Sequence, residues 1–292
     1  MSQIDLHTHS TASDGSLSPQ DLVQEAARCG LRALAVTDHD TTLGLPQAMA
    51  AGRRFGVEVI PGIELSADFS PGFMHILGLW LPEWPKRLLE SLHYLQRCRR
   101  ERNRKIIAAL RDLNIELDEQ EVKDLAGEGT VGRVHLAMLL VQKQVVPDLE
   151  QAFARYVGSR GRAYVPKEKL EPKEAVSLLH QEGATVILAH PYSIELPPEG
   201  LEETVRRLME AGLDGIEAVY SEHSPEQTAH YRSLCRKLDL VVSGGSDFHG
   251  LGRPGVSLGT GRGNLRLSSD LLEAMKHRRR SRGLWVTSAI EQ

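Results

Sequence analysis

Ala33-Leu34-Ala35-Val36-Thr37-Asp38-His39 is the stretch on which the fold is decided. A short apolar run of this kind reads as a strand buried on both faces, and it finishes on polar groups able to hold a ligand. A helical stretch around Leu45 to Phe55 follows and is stopped by Gly56. The next run, Val57-Glu58-Val59-Ile60-Pro61-Gly62-Ile63-Glu64, again ends on a carboxylate, and Phe73-Met74-His75-Ile76-Leu77-Gly78-Leu79 carries a histidine within a further strand. The second half repeats the pattern in Thr185-Val186-Ile187-Leu188-Ala189-His190-Pro191, Gly215-Ile216-Glu217-Ala218-Val219-Tyr220 and the run from Leu240 to His249.

Amphipathic helices lie between these runs. Ser18-Pro19-Gln20-Asp21 and Ser224-Pro225-Glu226-Gln227 each place Ser at an N-cap, Pro at the first helical position and a side-chain acceptor three residues on. Gly30, Gly183 and Gly212 fall where helices stop. Buried strands alternating with helices imply a parallel sheet covered by helices, with function at the carboxyl ends of the strands. Roughly seven strands favour an α/β fold of the incomplete or distorted β/α barrel type over an open sheet. From about Pro82 to Lys169 the alternation lapses. Leu88 to Leu113 reads as one long, charge-rich helix, followed by helices at Asp118 to Leu125, Arg133 to Gln142 and Pro147 to Tyr156. The expected organisation is a barrel in two parts, 1–85 and 169–292, interrupted by a small helical cap domain at 86–168.

With 292 residues, 41% apolar and 25% charged, the composition is that of an ordinary soluble protein. The formal net charge of -4 argues against tight non-specific binding to long nucleic acid, but not against a small phosphorylated ligand that needs only a local basic cluster. Cys29, Cys98 and Cys235 are odd in number and lack Cys-x-x-Cys spacing, so neither a disulfide framework nor a zinc knuckle is suggested. Asp5 and two histidines stand where a signal peptide needs a basic start and an apolar stretch. No apolar run approaches the ~18 residues of a membrane span. A cytoplasmic protein is expected, with no membrane contact and no obligate protein partner.

The chemistry begins at Asp5-Leu6-His7-Thr8-His9-Ser10. On a strand, His7 and His9 share a face and can chelate one ion; alone, they are equally well two surface histidines. What decides between these readings is the company at other strand ends: Asp14, His39, Glu64, His75, His190, Asp247 and His249. A cysteine-free set of imidazoles and carboxylates suits manganese, zinc or iron in a water-bearing catalytic site. It is too large for one ion, so two or three divalent ions sharing a carboxylate are expected, with Mn2+ the first choice and Zn2+ or Fe2+ the others. Asp38 is read as a group orienting His39. Glu217 is either a strand-end helper or a satisfied core carboxylate. The basic runs Arg97 to Lys105 and His277 to Arg282 are read as solvated helix faces, and Gly259 to Asn264 as a plain loop.

Taken in order, Asp5-Leu6-His7-Thr8-His9-Ser10 with Asp14, Thr37-Asp38-His39, Gly62-Ile63-Glu64, His75, Ala189-His190-Pro191 and Ser246-Asp247-Phe248-His249 resemble the motifs of the PHP family, named for polymerase and histidinol phosphatase. The resemblance runs from residue 5 to residue 249. It implies a distorted seven-stranded β/α barrel with metals at the strand ends. His7, His9, Glu64 and Asp247 would hold the first ion, His75 and His190 a second with Glu64 bridging, and Asp14, His39 and His249 a third. It also implies hydrolysis of a phosphate ester by metal-activated water, with no protein nucleophile.

Gly132-Arg133-Val134-His135-Leu136-Ala137 and Arg160-Gly161-Arg162-Ala163-Tyr164-Val165-Pro166-Lys167 resemble a stand-alone group of that family with a helical insertion, in which Pro stands at the position of Val134. Members of the group act on nucleoside 3',5'-bisphosphates and on the 5' ends of short RNA. The implied substrate is a small nucleotide such as adenosine 3',5'-bisphosphate, cut to a nucleoside monophosphate and phosphate. Arg133 would assist the reaction and, with Arg162 or Lys167, grip a second phosphate near His135 and Tyr164. His223 is a candidate acid for the leaving oxygen or an ordinary loop histidine. Four alternatives stay open: a 5'-3' exoribonuclease on short 5'-phosphorylated RNA, a histidinol-phosphate phosphatase, C–N cleavage of the amidohydrolase kind, and a non-catalytic binding module.

Overall fold

The apolar runs form strands that join in sequence order into one seven-stranded sheet. In the computed structural model, which describes residues 4–126 and 131–286, they are β1 (Ile4–Asp5), β2 (Ala33–Val36), β3 (Glu58–Ala67), β4 (Met74–Leu79), β5 (Thr185–Leu188), β6 (Gly215–Tyr220) and β7 (Val241–Gly245). Every residue of β2, β5 and β6 is buried, as the unbroken apolar character of these runs requires. The first and last strands also meet. Leu6 N–H donates to Gly244 O at 3.3 Å, Asp247 N–H to His7 O at 2.9 Å and His9 N–H to Phe248 O at 2.9 Å. The sheet thus curls into a nearly closed barrel, the architecture the resemblance implied. Gly245 permits the seam to close, because a Cβ there would lie 2.3 Å from the Cβ of His7.

One strand corrects the all-parallel expectation. β4 runs antiparallel to both β3 and β5. The connection from Ala67 to Met74 is too short for a crossover helix, so the chain can only turn back on itself. This reversal places the start of β4 at the end of the barrel where β2, β3 and β5 finish. His75, the second residue of β4, therefore reaches the ligand-bearing end without ending a strand.

The helices are α1 (Pro19–Arg28), α2 (Leu45–Phe55), α3 (Lys86–Arg111), α4 (Glu119–Ala126), α5 (Arg133–Gln142), α6 (Leu149–Ala152), α7 (Pro172–Gln181), α8 (Pro198–Met209), α9 (Pro225–Leu238) and α10 (Ser269–Ser281). The expected caps form: Ser18 Oγ accepts the Asp21 N–H at 3.1 Å, and Ser224 and Gln227 make a reciprocal box. Leu22, Val23 and Ala26 of α1 and Ala48 and Ala51 of α2 pack on Leu34, Val36 and Val59, fixing both helices to the barrel wall.

Two compact units result: Met1–Leu89 with Leu170–Gln292, and Glu90–Lys169. The second begins at Glu90 rather than at residue 86 because the first turn of α3 is tied to the barrel unit, where Glu182 Oε1 accepts the N–H groups of Arg87 at 2.7 Å and Leu88 at 3.1 Å. The rest of α3, with α4 to α6 and a π-helical turn at Phe153–Val157, surrounds a separate core of Ile106, Leu110, Leu136, Leu140 and Val157. Among the described residues no helix is long and apolar enough to cross a membrane.

Candidate metal centre

Glu64, fully buried on β3, is the hub of the site. Its Oε2 lies 3.2 Å from His7 Nε2, 3.2 Å from His9 Nε2 and 3.0 Å from His39 Nδ1. Its Oε1 lies 2.9 Å from His75 Nδ1 and 3.0 Å from His190 Nε2. Asp247 Oδ1 stands 3.2 Å from His9 Nε2 and 3.5 Å from His7 Nε2. On the other side of His9, Asp14 places Oδ1 3.2 Å from His249 Nε2 and Oδ2 3.8 Å from His39 Nε2. The side chains gather into three overlapping sets: His7, His9, Glu64 and Asp247; His9, Asp14, His39 and His249; and His39, Glu64 and His75.

This donor set fits divalent metal ions. Among the described residues, His7 Nε2, both ring nitrogens of His9, His39 Nδ1 and Glu64 Oε2 are buried without a hydrogen bond, and so many orphaned polar atoms in one place call for something that binds them. Metal–ligand bonds of about 2.0–2.2 Å put neighbouring donor atoms roughly 3 to 3.6 Å apart, the spacing found around Glu64 and Asp247. Burial alone would raise both carboxyls, but the imidazoles outweigh it. His39, His7 and His75 hold Glu64 well below the usual carboxylate range, and His7 and His9 do the same for Asp247. Two residues of the cluster, His190 and Asp247, sit on left-handed backbone with φ of 23° and 56°, local strain of the kind that concentrates at functional sites.

The PHP domain model matches residues 5–165. This chain belongs to the PHP domain family. It is 34% identical to a 5'-3' exoribonuclease of Haemophilus influenzae, over 84% of this chain and 89% of the relative. A 3',5'-nucleoside bisphosphate phosphatase of Chromobacterium violaceum is 30% identical over 89% and 91%. The solved structure of a protein described as a metal-dependent phosphoesterase, from Bifidobacterium adolescentis, superposes with a TM-score of 0.82 at 26% identity, over 95% of this chain and 96% of that one. This PHP protein is an enzyme, a metal-dependent phosphoesterase that hydrolyses phosphate esters, and its His, Glu and Asp cluster is suited to divalent ions.

The surroundings of the PHP centre show how the ligands are held. His7 Nδ1 donates to Glu217 Oε1 at 3.0 Å, which fixes the tautomer and leaves the Nε2 lone pair facing the cluster. Glu217 also accepts the His190 N–H at 2.8 Å, so of its two sequence readings the helper is the one realised. Replacing Glu217 with Ala should weaken metal affinity about 10- to 100-fold while the chain stays folded, to be read by chelator competition alongside circular dichroism. Asp38 does not orient His39 as expected. Its carboxylate accepts from Ser10 N, Ser10 Oγ and Ser13 Oγ at 2.8, 2.7 and 2.6 Å, because the Ser10 to Ser13 turn packs across the end of β2 and brings three donors to it. Asp38 thus shapes the loop that carries Asp14.

His223 is not among the described residues lining the metal cavity. Its Nδ1 lies 3.2 Å from Ala218 O, and its ring packs against Tyr192, Tyr220 and Tyr231. Burial pushes its pKa down to about 4, so the ring is neutral at physiological pH. Arg133, His135, Arg162, Tyr164 and Lys167 all belong to the second unit. There Arg133 Nη1 donates to Val157 O at 3.1 Å and lies over the rings of Tyr164 and Phe153 at 5.5 and 5.9 Å. His135 Nδ1 accepts the Gly132 N–H at 3.0 Å, capping α5. Arg162 is exposed and Lys167 half-buried.

Asp5, fully buried at the end of β1, braces the barrel seam. Its carboxylate accepts Ser246 N–H at 2.9 Å, Ser246 Oγ–H at 2.6 Å and Gly259 N–H at 2.8 Å. It thereby ties β1 to the segment that carries Asp247 and to the Gly259 loop.

Proposed function

We propose that this PHP enzyme hydrolyses a phosphate ester of a small nucleotide, with a nucleoside 3',5'-bisphosphate as substrate and Mn2+ as its ion. The observation that carries the reading is the opening of the ligand cluster into a cavity of about 340 Å3, walled by Phe73, Tyr192 and Tyr220 beside the metal-binding histidines. That is room for one small ligand, with aromatic faces next to the phosphate position. The Chromobacterium violaceum relative, a 3',5'-nucleoside bisphosphate phosphatase, supports this choice. The Haemophilus influenzae relative supports a second reading, a 5'-3' exoribonuclease acting on short RNA.

His7, His9, Glu64 and Asp247, with the neighbouring histidines, would hold divalent ions, whose chemistry when bound would be to lower the pKa of a water and to neutralise phosphoryl oxygens. The protein's own part is positional. Glu217 presents the Nε2 lone pair of His7, buried Glu64 and Asp247 remain ionised, and the antiparallel pair β3 and β4 holds Glu64 and His75 diagonally across from each other. In the second unit, Arg102 is 7% exposed and its Nη2 has no hydrogen-bond partner among the described residues. Burial and the nearby Arg133 lower its pKa to about 10. Such a knot of like charge is relieved by an anion, which supports Arg133 as an anion-binding residue of the second unit.

Mn2+-loaded protein should be assayed against adenosine 3',5'-bisphosphate, histidinol phosphate and a 5'-phosphorylated oligoribonucleotide. The bisphosphate should turn over fastest. Preference for the oligoribonucleotide would install the second reading, and inertness toward every ester would defeat both.

A further inference from the structure

We propose that Arg253 is the cation that receives the phosphoryl oxygens of the substrate in the metal cavity, an inference that rests on the phosphoesterase reading above. Among the described residues lining that cavity, Arg253 is the one Lys or Arg side chain. It follows the short helical turn at Gly250–Gly252, beyond Asp247 on the same loop, and its side chain keeps 22% of its surface open. The guanidinium lies over the Tyr220 ring at 5.6 Å, pairs through Nη1 with Asp247 Oδ2, and places Nη2 2.8 Å from Glu222 Oε2.

Three features give it more than a bracing role. Asp247 turns Oδ1 toward His7 and His9 and Oδ2 toward Arg253, so the guanidinium stands one carboxylate away from the metal ligands. Tyr220 O–H already donates to that same Oδ2 at 2.8 Å, and holding Asp247 in place does not require a charge as well. Glu222, which pins Nη2, is itself paired with Arg262 at 2.8 Å and accepts from Tyr192 O–H at 2.9 Å, so it does not cancel the charge of Arg253. A guanidinium offers five N–H donors in a planar fork matched to phosphate geometry, more than these two carboxylates take up. A guanidinium stays cationic throughout the physiological pH range.

The test is inhibition of p-nitrophenyl phosphate hydrolysis by inorganic phosphate, with metal content measured on the same samples. Arg253→Gln and Arg253→Met should keep the wild-type metal complement and raise both KM and the phosphate inhibition constant about 10- to 100-fold, the loss of one charged hydrogen-bonding partner. Arg253→Lys should recover part of that loss. On the wild-type protein, where no substitution can disturb folding, inorganic phosphate should protect Arg253 from phenylglyoxal, as seen by peptide mass. An unchanged inhibition constant in either folded variant would overturn the proposal. So would a change that excess metal reverses, or modification of Arg253 that phosphate does not slow. Failure of the wild type to hydrolyse any phosphate ester is a different outcome and overturns the phosphoesterase reading itself.

Discussion

Glu64→Gln should give a folded protein that has lost most of its bound metal and at least about 10^3-fold of its phosphoesterase rate, a loss at the upper end of what removing one charge-stabilising group costs. Five imidazoles approach the two oxygens of this carboxylate, at 2.9 to 3.2 Å. A Gln retains the volume and one acceptor, but it removes the negative charge and turns an N–H2 group toward nitrogens that must stay available as ligands. Two of the three ligand sets contain Glu64, so both should empty together. The set of His9, Asp14, His39 and His249 should hold its ion more weakly but not vanish. Metal analysis after gel filtration and a phosphate-release assay on the same sample measure the effect. Full metal content with activity within tenfold of wild type would remove Glu64 from the centre of the site.

Asp5→Ala should be the most destabilising single change at the barrel seam, costing about 3 to 5 kcal/mol. Burial pushes the Asp5 carboxyl up to about 6, while the donors from Ser246, Gly259 and His7 pull it back toward the ionised form. Alanine leaves those donors buried with nothing to bond. The seam between β1 and β7 would loosen, and His7 and Asp247, which stand on its two sides, would lose their register. At roughly 2–4 °C per kcal/mol for a chain of this size, the melting temperature should fall by about 6 to 20 °C. Thermal denaturation followed by circular dichroism checks this; a melting temperature within 2 °C of wild type, taken as about 1 kcal/mol, would show that the seam is held by other means.

Much of this architecture was legible because buried strands write themselves as unbroken apolar runs. Ala33 to Val36 and Thr185 to Leu188 needed no partner to be recognised. Strand direction was another matter. An apolar run carries no arrow, so the antiparallel course of β4 lay only in the shortness of the link from Ala67 to Met74. Asp5 bonds to a residue 241 positions away, and nothing local to a single aspartate announces such a contact. Arg253 follows a glycine-rich turn without any motif, and the one available signal was a lone cation a few residues past the strand-end Asp247. His223 shows the reverse: it lies where a strand ends, but its ring turns back to the carbonyl of Ala218 and into an aromatic packet. Position along a strand reports which end of the barrel a residue reaches; it does not report which way the side chain points once the strand has ended.

The central claim is that the cluster around Glu64 holds the divalent ions on which phosphate-ester hydrolysis depends. Its most direct test is to strip the protein with chelator, titrate Mn2+ back, and record ions bound and phosphate released from adenosine 3',5'-bisphosphate in the same experiment. Activity should be absent from the stripped protein and should rise only as about two or more ions per chain are bound, with Glu64→Gln flat throughout. Undiminished hydrolysis by metal-free protein, or a full complement of ions with no hydrolysis of any phosphate ester, would contradict it.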